Sequence, residues 1–168
     1  MVQVRVLGIA LDAARQHIVL LKPLLEEPGT GRILPIWIGE QEATSILIAL
    51  GGGEAPRPLS HDLMKTLLET LGAEVEKVEV TRIEDGTFFA EITLTTPSGR
   101  RVVDARPSDS VALAVRFQAP IWVADELLDE AGIPAEMVDQ GSDEEEEKEK
   151  LDEFKRFLED VDPEDFQG

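Results

Sequence analysis

The chain contains no cysteine, which excludes disulfide scaffolds, cysteine-ligated zinc, iron–sulfur clusters and thiol catalysis. Long apolar runs are missing too. The longest uncharged stretch, Ala43 to Gly53, is 11 residues, far short of a membrane span. The opening Met-Val-Gln-Val-Arg-Val has no basic region leading into an apolar core, so no signal peptide is expected. A cytoplasmic protein with no membrane association is the expectation. Basic residues are scarce: 16 Lys and Arg stand against 35 Asp and Glu, a net charge of −19. Such a charge repels polyanions at long range and disfavours a broad basic groove for nucleic acid. An enzyme acting on nucleic acid with this balance needs divalent cations or local arginine pockets. The glycine-rich phosphate loops GxGxxG and GxxxxGK[ST], the metalloprotease HExxH and the nucleophile elbow GxSxG are all absent.

What is present suits one domain with an appendage. The 168 residues are 42% hydrophobic, enough for a core without metals or cross-links. Residues 2–11, 17–24 and 32–39 read as β-branched, apolar strands. Glu40 to Leu50 carries apolar positions 43, 46, 47 and 50, which is helical spacing. Ser60 is expected to cap a second helix, with Leu63, Met64, Leu67, Leu68 and Leu71 on it and Gly72 stopping it. Strands follow over 75–83, 88–95 and 102–105, separated by Asp85-Gly86 and Pro97-Ser98-Gly99. Pro107 opens a third helix running to about Arg116, and 120–124 forms a short buried strand before a helix at 125–131. This order predicts an α+β single domain, a mixed, mainly antiparallel sheet flanked by helices. The domain is placed at residues 1–138. Residues 139–168, with 14 acidic and 4 basic side chains, form an acidic tail. Its Leu151, Phe154, Phe157 and Leu158 recur at the spacing of a short amphipathic helix.

Three segments combine chemistry with a helix start. Asp104-Ala105-Arg106-Pro107-Ser108-Asp109-Ser110 sets a carboxylate, a guanidinium and a hydroxyl beside free helix N–H groups, an arrangement suited to anions. The same residues also serve plain capping, with Ser108 or Asp109 on the N–H groups and Arg106 paired to Asp104. In Arg57-Pro58-Leu59-Ser60-His61-Asp62, a histidine next to a carboxylate suits general-base or metal chemistry. Adjacent helical side chains point apart, however, which would leave His61 merely exposed. Glu40 and Glu42 flank Gln41 at a strand-to-helix junction. Their carboxylates suit Mg²⁺ or Mn²⁺, and equally suit the helix dipole.

Taken together, five segments resemble the bifunctional nuclease domain family. They are residues 34–43 (LPIWIGEQEA), 57–63 (RPLSHDL), 85–90 (DGTFFA), 104–114 (DARPSDSVALA) and 120–123 (PIWV). The resemblance spans roughly residues 1–133 and implies an α+β nuclease acting on DNA and RNA. It transfers motif positions, not proven roles. Within the enzyme reading, a divalent cation held by Glu40, Glu42 and Asp104 activates water. His61, Asp62, Asp104 and Asp109 supply acid–base chemistry, and Arg57, Arg106 and Ser108 hold phosphate oxygens. The competing reading is a non-catalytic module that binds an anion or nucleotide, with the acidic tail recruiting a protein partner. A homo-oligomer with Trp37 or Trp122 at its interface is compatible with either.

Overall fold

The computed structural model describes residues 1–53 and 55–139. The acidic tail and its amphipathic segment lie outside the described residues. The elements run β1 (Val2–Leu11), β2 (His17–Pro23), β3 (Arg32–Ile38), α1 (Glu40–Leu50), α2 (Ser60–Thr70), β4 (Glu74–Glu84), β5 (Thr87–Thr96) and β6 (Gly99–Ala105). Then come α3 (Pro107–Phe117), β7 (Ile121–Val123), α4 (Asp125–Ala131), β8 (Ile133–Pro134) and α5 (Glu136–Asp139). The strands form one sheet in the order β6-β5-β4-β7-β1-β2-β3-β8. All neighbours are antiparallel except β4 and β7. The architecture is α+β, as the order of elements predicted. No helix among the described residues is long and apolar enough to cross a membrane.

Turn chemistry explains the two local meanders. Asp85 and Gly86 take φ of 50° and 77°, the left-handed pair that matches strand twist in a tight hairpin. Between β1 and β2, the Asp12 carboxylate accepts the Ala14 and Gln16 N–H groups. It also accepts the indole N–H of Trp37, which leaves that ring half in solvent. Backbone and indole donors together hold the Asp12 carboxyl below its usual range.

α1 packs on β1 and β2, α3 on β4 and β5, and α2 against α3 and β4. Between helices and sheet lies the main core, including Val4, Val19, Leu21, Leu34, Ile46, Val78, Val80, Val111 and Val123. A second cluster of Ile18, Leu20, Ile33 and Ala135 fills the other face of β2 and β3. The alternation of β2 is therefore buried on both sides, as expected of a central, near-continuous apolar strand.

Two details differ from expectation. Ser60 is the first residue of α2, not its cap. Leu59 holds the cap position, and its N–H donates to Asp62 Oδ2 at 2.9 Å, so the capping carboxylate comes from inside the helix. β8 and α5 have no sequence signal, since two and four residues are shorter than any hydrophobic period. Gly72 does end α2, with φ of 74° and the Ala73 N–H bonded back to Leu68 O at 2.8 Å.

Candidate active site

Three helices carry the polar cluster. α1 contributes Glu42 and Ser45, α2 contributes His61, and the start of α3 contributes Arg106 and Asp109. Glu42 and Ser45 lie one turn apart and so share a face; the same spacing places Arg106 next to Asp109. Pro107 at the first helical position fixes the backbone direction with which Arg106 enters α3.

The contacts form one continuous chain. Ser45 Oγ lies 2.7 Å from His61 Nδ1, and His61 Nε2 lies 2.8 Å from Asp109 Oδ1. Arg106 Nε donates to Asp109 Oδ2 at 2.9 Å, while Arg106 Nη2 donates to Glu42 Oε1 at 3.0 Å. Asp109 as a carboxylate only accepts, so Nε2 carries a proton and, in the neutral ring, Nδ1 takes the Ser45 hydroxyl hydrogen. The side chain of His61 is 7% exposed and that of Arg106 is 66% exposed. The network thus runs from the interior to solvent and ends in a guanidinium. Asp109 and then Glu42 beside it raise the Arg106 pKa above its ordinary value, which keeps a permanent positive charge there.

A second clamp stands behind the first. Arg116, nearly fully buried, donates from Nε to Asp62 Oδ1 at 2.7 Å, from Nη1 to Ala112 O at 3.0 Å and from Nη2 to Ser45 O at 3.2 Å. Lys65 Nζ donates to the Arg116 carbonyl at 3.1 Å. Burial pushes the Asp62 carboxyl up. The Arg116 hydrogen bond, the Leu59 N–H and the Arg116 charge outweigh it, and the net shift is downward.

The candidates separate clearly. Glu42, His61, Arg106 and Asp109 converge. Asp62 faces away from His61 toward Arg116, so the neighbours on α2 do point apart, but His61 is buried and not exposed. Arg106 pairs with Asp109 and Glu42 rather than with Asp104. Asp104 is exposed on β6, and Glu40 and Arg57 are also exposed. Among the described residues none of these three makes a side-chain hydrogen bond or ion pair with the cluster. Ser108 is buried at the start of α3, and no side-chain bond caps that helix. Sequence reasoning missed Ser45, Arg116 and Lys65. Their signal was helical arithmetic: Ser45 is one turn beyond Glu42, Arg116 two turns beyond Asp109, and Lys65 one turn beyond His61.

The bifunctional nuclease domain model matches residues 23–136. The chain belongs to the bifunctional nuclease domain family. An uncharacterized protein of Mycobacterium tuberculosis is 40% identical over 171 aligned residues, covering 99% of this chain and 98% of that one. Bifunctional nuclease 1 of Arabidopsis thaliana is 32% identical over 115 residues, 67% of this chain and 34% of the plant protein. Bifunctional nuclease 2 of the same plant is 33% identical over 100 residues, 58% of this chain and 30% of its own length. The chain therefore spans about a third of these plant relatives. Every residue of both clamps lies inside the matched bifunctional nuclease domain, whereas β1 lies before it.

Two chemistries can be tested against this donor set. Asp109, His61 and Ser45 stand in the order of a carboxylate–imidazole–hydroxyl triad, but Ser45 and His61 are both buried. The buried Ser45 hydroxyl is spent on His61 Nδ1 at 2.7 Å and orients the ring. For a divalent ion, no group of three or more His, Asp or Glu side chains among the described residues is placed to hold one. Glu40, Glu42 and Asp104 do not gather. The two carboxylates that do share a centre, Glu42 and Asp109, both pair with the Arg106 guanidinium. As arranged, Glu42 and Asp109 are both spent on the Arg106 guanidinium, and the donor set does not fit a metal centre.

Proposed function

We propose that this chain is a nuclease hydrolysing phosphodiester bonds, with Arg106 as its phosphate-holding residue and Asp109 as its proton acceptor. The observation that carries the reading is the exposed Arg106 guanidinium, fixed by Glu42 and Asp109 at the start of α3, in a domain of the bifunctional nuclease family. DNA and RNA are the substrates that the family resemblance implies. Among the described residues, Glu42 and Asp109 leave Arg106 Nη1 open to a phosphate oxygen, and the first N–H groups of α3 add their partial positive charge. Charge developing on the phosphoryl oxygens during attack is what such a preorganised donor stabilises. Asp109, one quarter exposed, accepts the proton of an attacking water as its oxygen bonds to phosphorus; the P–O bond to the leaving sugar oxygen breaks, and that oxygen takes its proton from solvent. His61 steadies the carboxylate from within, its two ring nitrogens taken by Asp109 and Ser45. The divalent cation expected from the sequence stays a variable of the assay.

The closed bonding of His61 favours a second reading, a non-catalytic module that binds nucleotide phosphates at Arg106. One experiment separates the two. Purified protein is incubated with single- and double-stranded DNA and RNA, with Mg²⁺, with Mn²⁺ and with chelator, alongside Arg106→Ala and Asp109→Asn. Loss of one transition-state donor is expected to slow cleavage about 10²–10³-fold while circular dichroism and melting stay close to wild type. Equal cleavage by all three proteins overturns the site. Binding of oligonucleotide by wild type without turnover establishes the second reading.

A further inference from the structure

The edge of the sheet carries a feature that the nuclease reading does not use. β6 pairs only with β5 among the described residues, and Gly99 through Asp104 are all exposed. Val102 and Val103 in its middle are 59% and 44% exposed. A seven-residue free edge is a template for another strand, and proteins that must keep such an edge solitary block it with proline, bulges or like charges. β6 has neither proline nor bulge, and its charges are of both signs in a particular order: Arg100, Arg101, Val102, Val103, Asp104.

Asp104 is poorly served inside its own sheet. Its cross-strand neighbour is Glu91, and the next residue in that row is Glu79. Three carboxylates therefore stand side by side, with Asp104 outermost, and like charges directly opposite are destabilising. Lys77 serves Glu79 at 2.6 Å, whereas among the described residues Asp104 has neither ion pair nor side-chain hydrogen bond. Arg100 is the reverse case. Glu76 accepts from its Nε and Nη2 at 2.9 and 2.6 Å, and among the described residues Nη1 keeps both donors unspent.

We propose that β6 pairs antiparallel with β6 of a second copy of this chain, about a two-fold axis through Val102. A two-fold axis perpendicular to the sheet keeps each side chain on its own face, so opposed residues must have sequence numbers of the same parity. Centring on Val102 sets Val102 against Val102, Arg100 against Asp104 and Asp104 against Arg100. Centring on Val103 sets Val102 against Asp104 and Arg100 against Arg106, a buried mismatch and a repulsion. Centring on Val102 also sets Arg101 against Val103, but it alone pairs Arg100 with Asp104, so the two ion pairs select this register. In that register each Asp104 gains the cation its row lacks, and residue 106 of one copy lies level with residue 98 of the other. The Pro97-Ser98-Gly99 turn of the second copy then borders Arg106. Net repulsion between two acidic chains is screened beyond about 8 Å at physiological ionic strength, whereas the paired side chains are adjacent.

The test is the mass in solution of the full chain at physiological salt, by sedimentation and light scattering through a dilution series. Wild type is expected near 37 kDa, two copies of 18.5 kDa, and Asp104→Arg, which faces arginine with arginine, near the single-chain mass. Because the chain has no cysteine, a single introduced thiol reports the register. Val102→Cys cross-links to itself under mild oxidation, since its mate lies directly opposite. Ser98→Cys does not, its mate being eight residues along the strand, roughly 27 Å away. A monomeric wild type overturns the proposal. So does a dimer that Asp104→Arg leaves intact, or one in which Ser98→Cys cross-links and Val102→Cys does not. Circular dichroism shows that each variant is folded, and the exposure of all three residues keeps them clear of the core.

Discussion

Replacing Arg116 by methionine keeps most of the side chain's apolar stem and removes its charge. The guanidinium joins all three helices: Asp62 on α2, the Ser45 carbonyl on α1 and the Ala112 carbonyl on its own α3. Hydrogen bonds from a charged donor contribute about 1.5–3 kcal/mol each where both partners are buried. The Asp62 side chain is 39% exposed and rehydrates when freed, so its share falls to about 1 kcal/mol. Relief of the buried guanidinium's desolvation offsets part of the rest. The net loss is about 3 kcal/mol, or roughly 6–12 °C in Tm for a domain of this size. Urea unfolding of wild type, Arg116→Met, Asp62→Asn and the double variant measures the pair directly. The pH dependence has a defined sign. The Arg116 guanidinium and the Leu59 N–H hold the folded Asp62 pKa below the ordinary aspartate value, so its contribution is fully present above that ordinary value. It is lost as pH falls through the lower, folded value. The Asp62–Arg116 coupling is therefore expected to be about 1 kcal/mol at neutral pH and to fade in acid below the ordinary carboxylate range. A loss under about 0.5 kcal/mol for Arg116→Met, or a coupling unchanged in acid, refutes the clamp.

Two further outcomes follow from the cluster itself. His61→Ala strands the Ser45 hydroxyl and one oxygen of Asp109, and is expected to cost about 2–3 kcal/mol in urea unfolding. A variant as stable as wild type contradicts the buried network. Gly39→Ala places a Cβ against the Glu42 carboxylate. It is expected to swing Glu42 away from Arg106 and slow cleavage several-fold, while costing only about 1 kcal/mol at the helix cap. Unchanged turnover would show that Glu42 does not orient the guanidinium.

The local parts of this fold were legible because their signals are local. α1 and α4 have the predicted bounds, and Gly72 and Asp85-Gly86 do what their backbone freedom suggests. The site was legible only as fragments. Residues 42, 61, 106 and 109 were each marked by chemistry at a helix start, but nothing within 64 residues of chain announces that Glu42 meets Arg106. That meeting depends on α1 and α3 packing side by side over different strands. Asp104 illustrates the converse: it sits two residues from Arg106 in sequence, yet β6 is extended and the turn into α3 sends the two side chains to different neighbours. Arg116 entered the sequence reading only as the end of the third helix, and its burial and its bonds to all three helices show it to be a three-way tie.

The strand order has a consequence for how the chain is made. β1-β2-β3 and β4-β5-β6 are each built from near neighbours in sequence, but they meet only through the three residues of β7. Val2 opposes Val123 and Val80 opposes Val123 from the other side, so the keystone is synthesised after every other described strand but β8. Until it arrives, β1 and β4 both show a bare edge, and the helices above them have no continuous floor. Closure of the longest loop in the domain is thus the step that completes the sheet, and long-range closure of this kind slows folding. A nascent chain ending before residue 121 holds two half-sheets, each able to pair with the wrong partner.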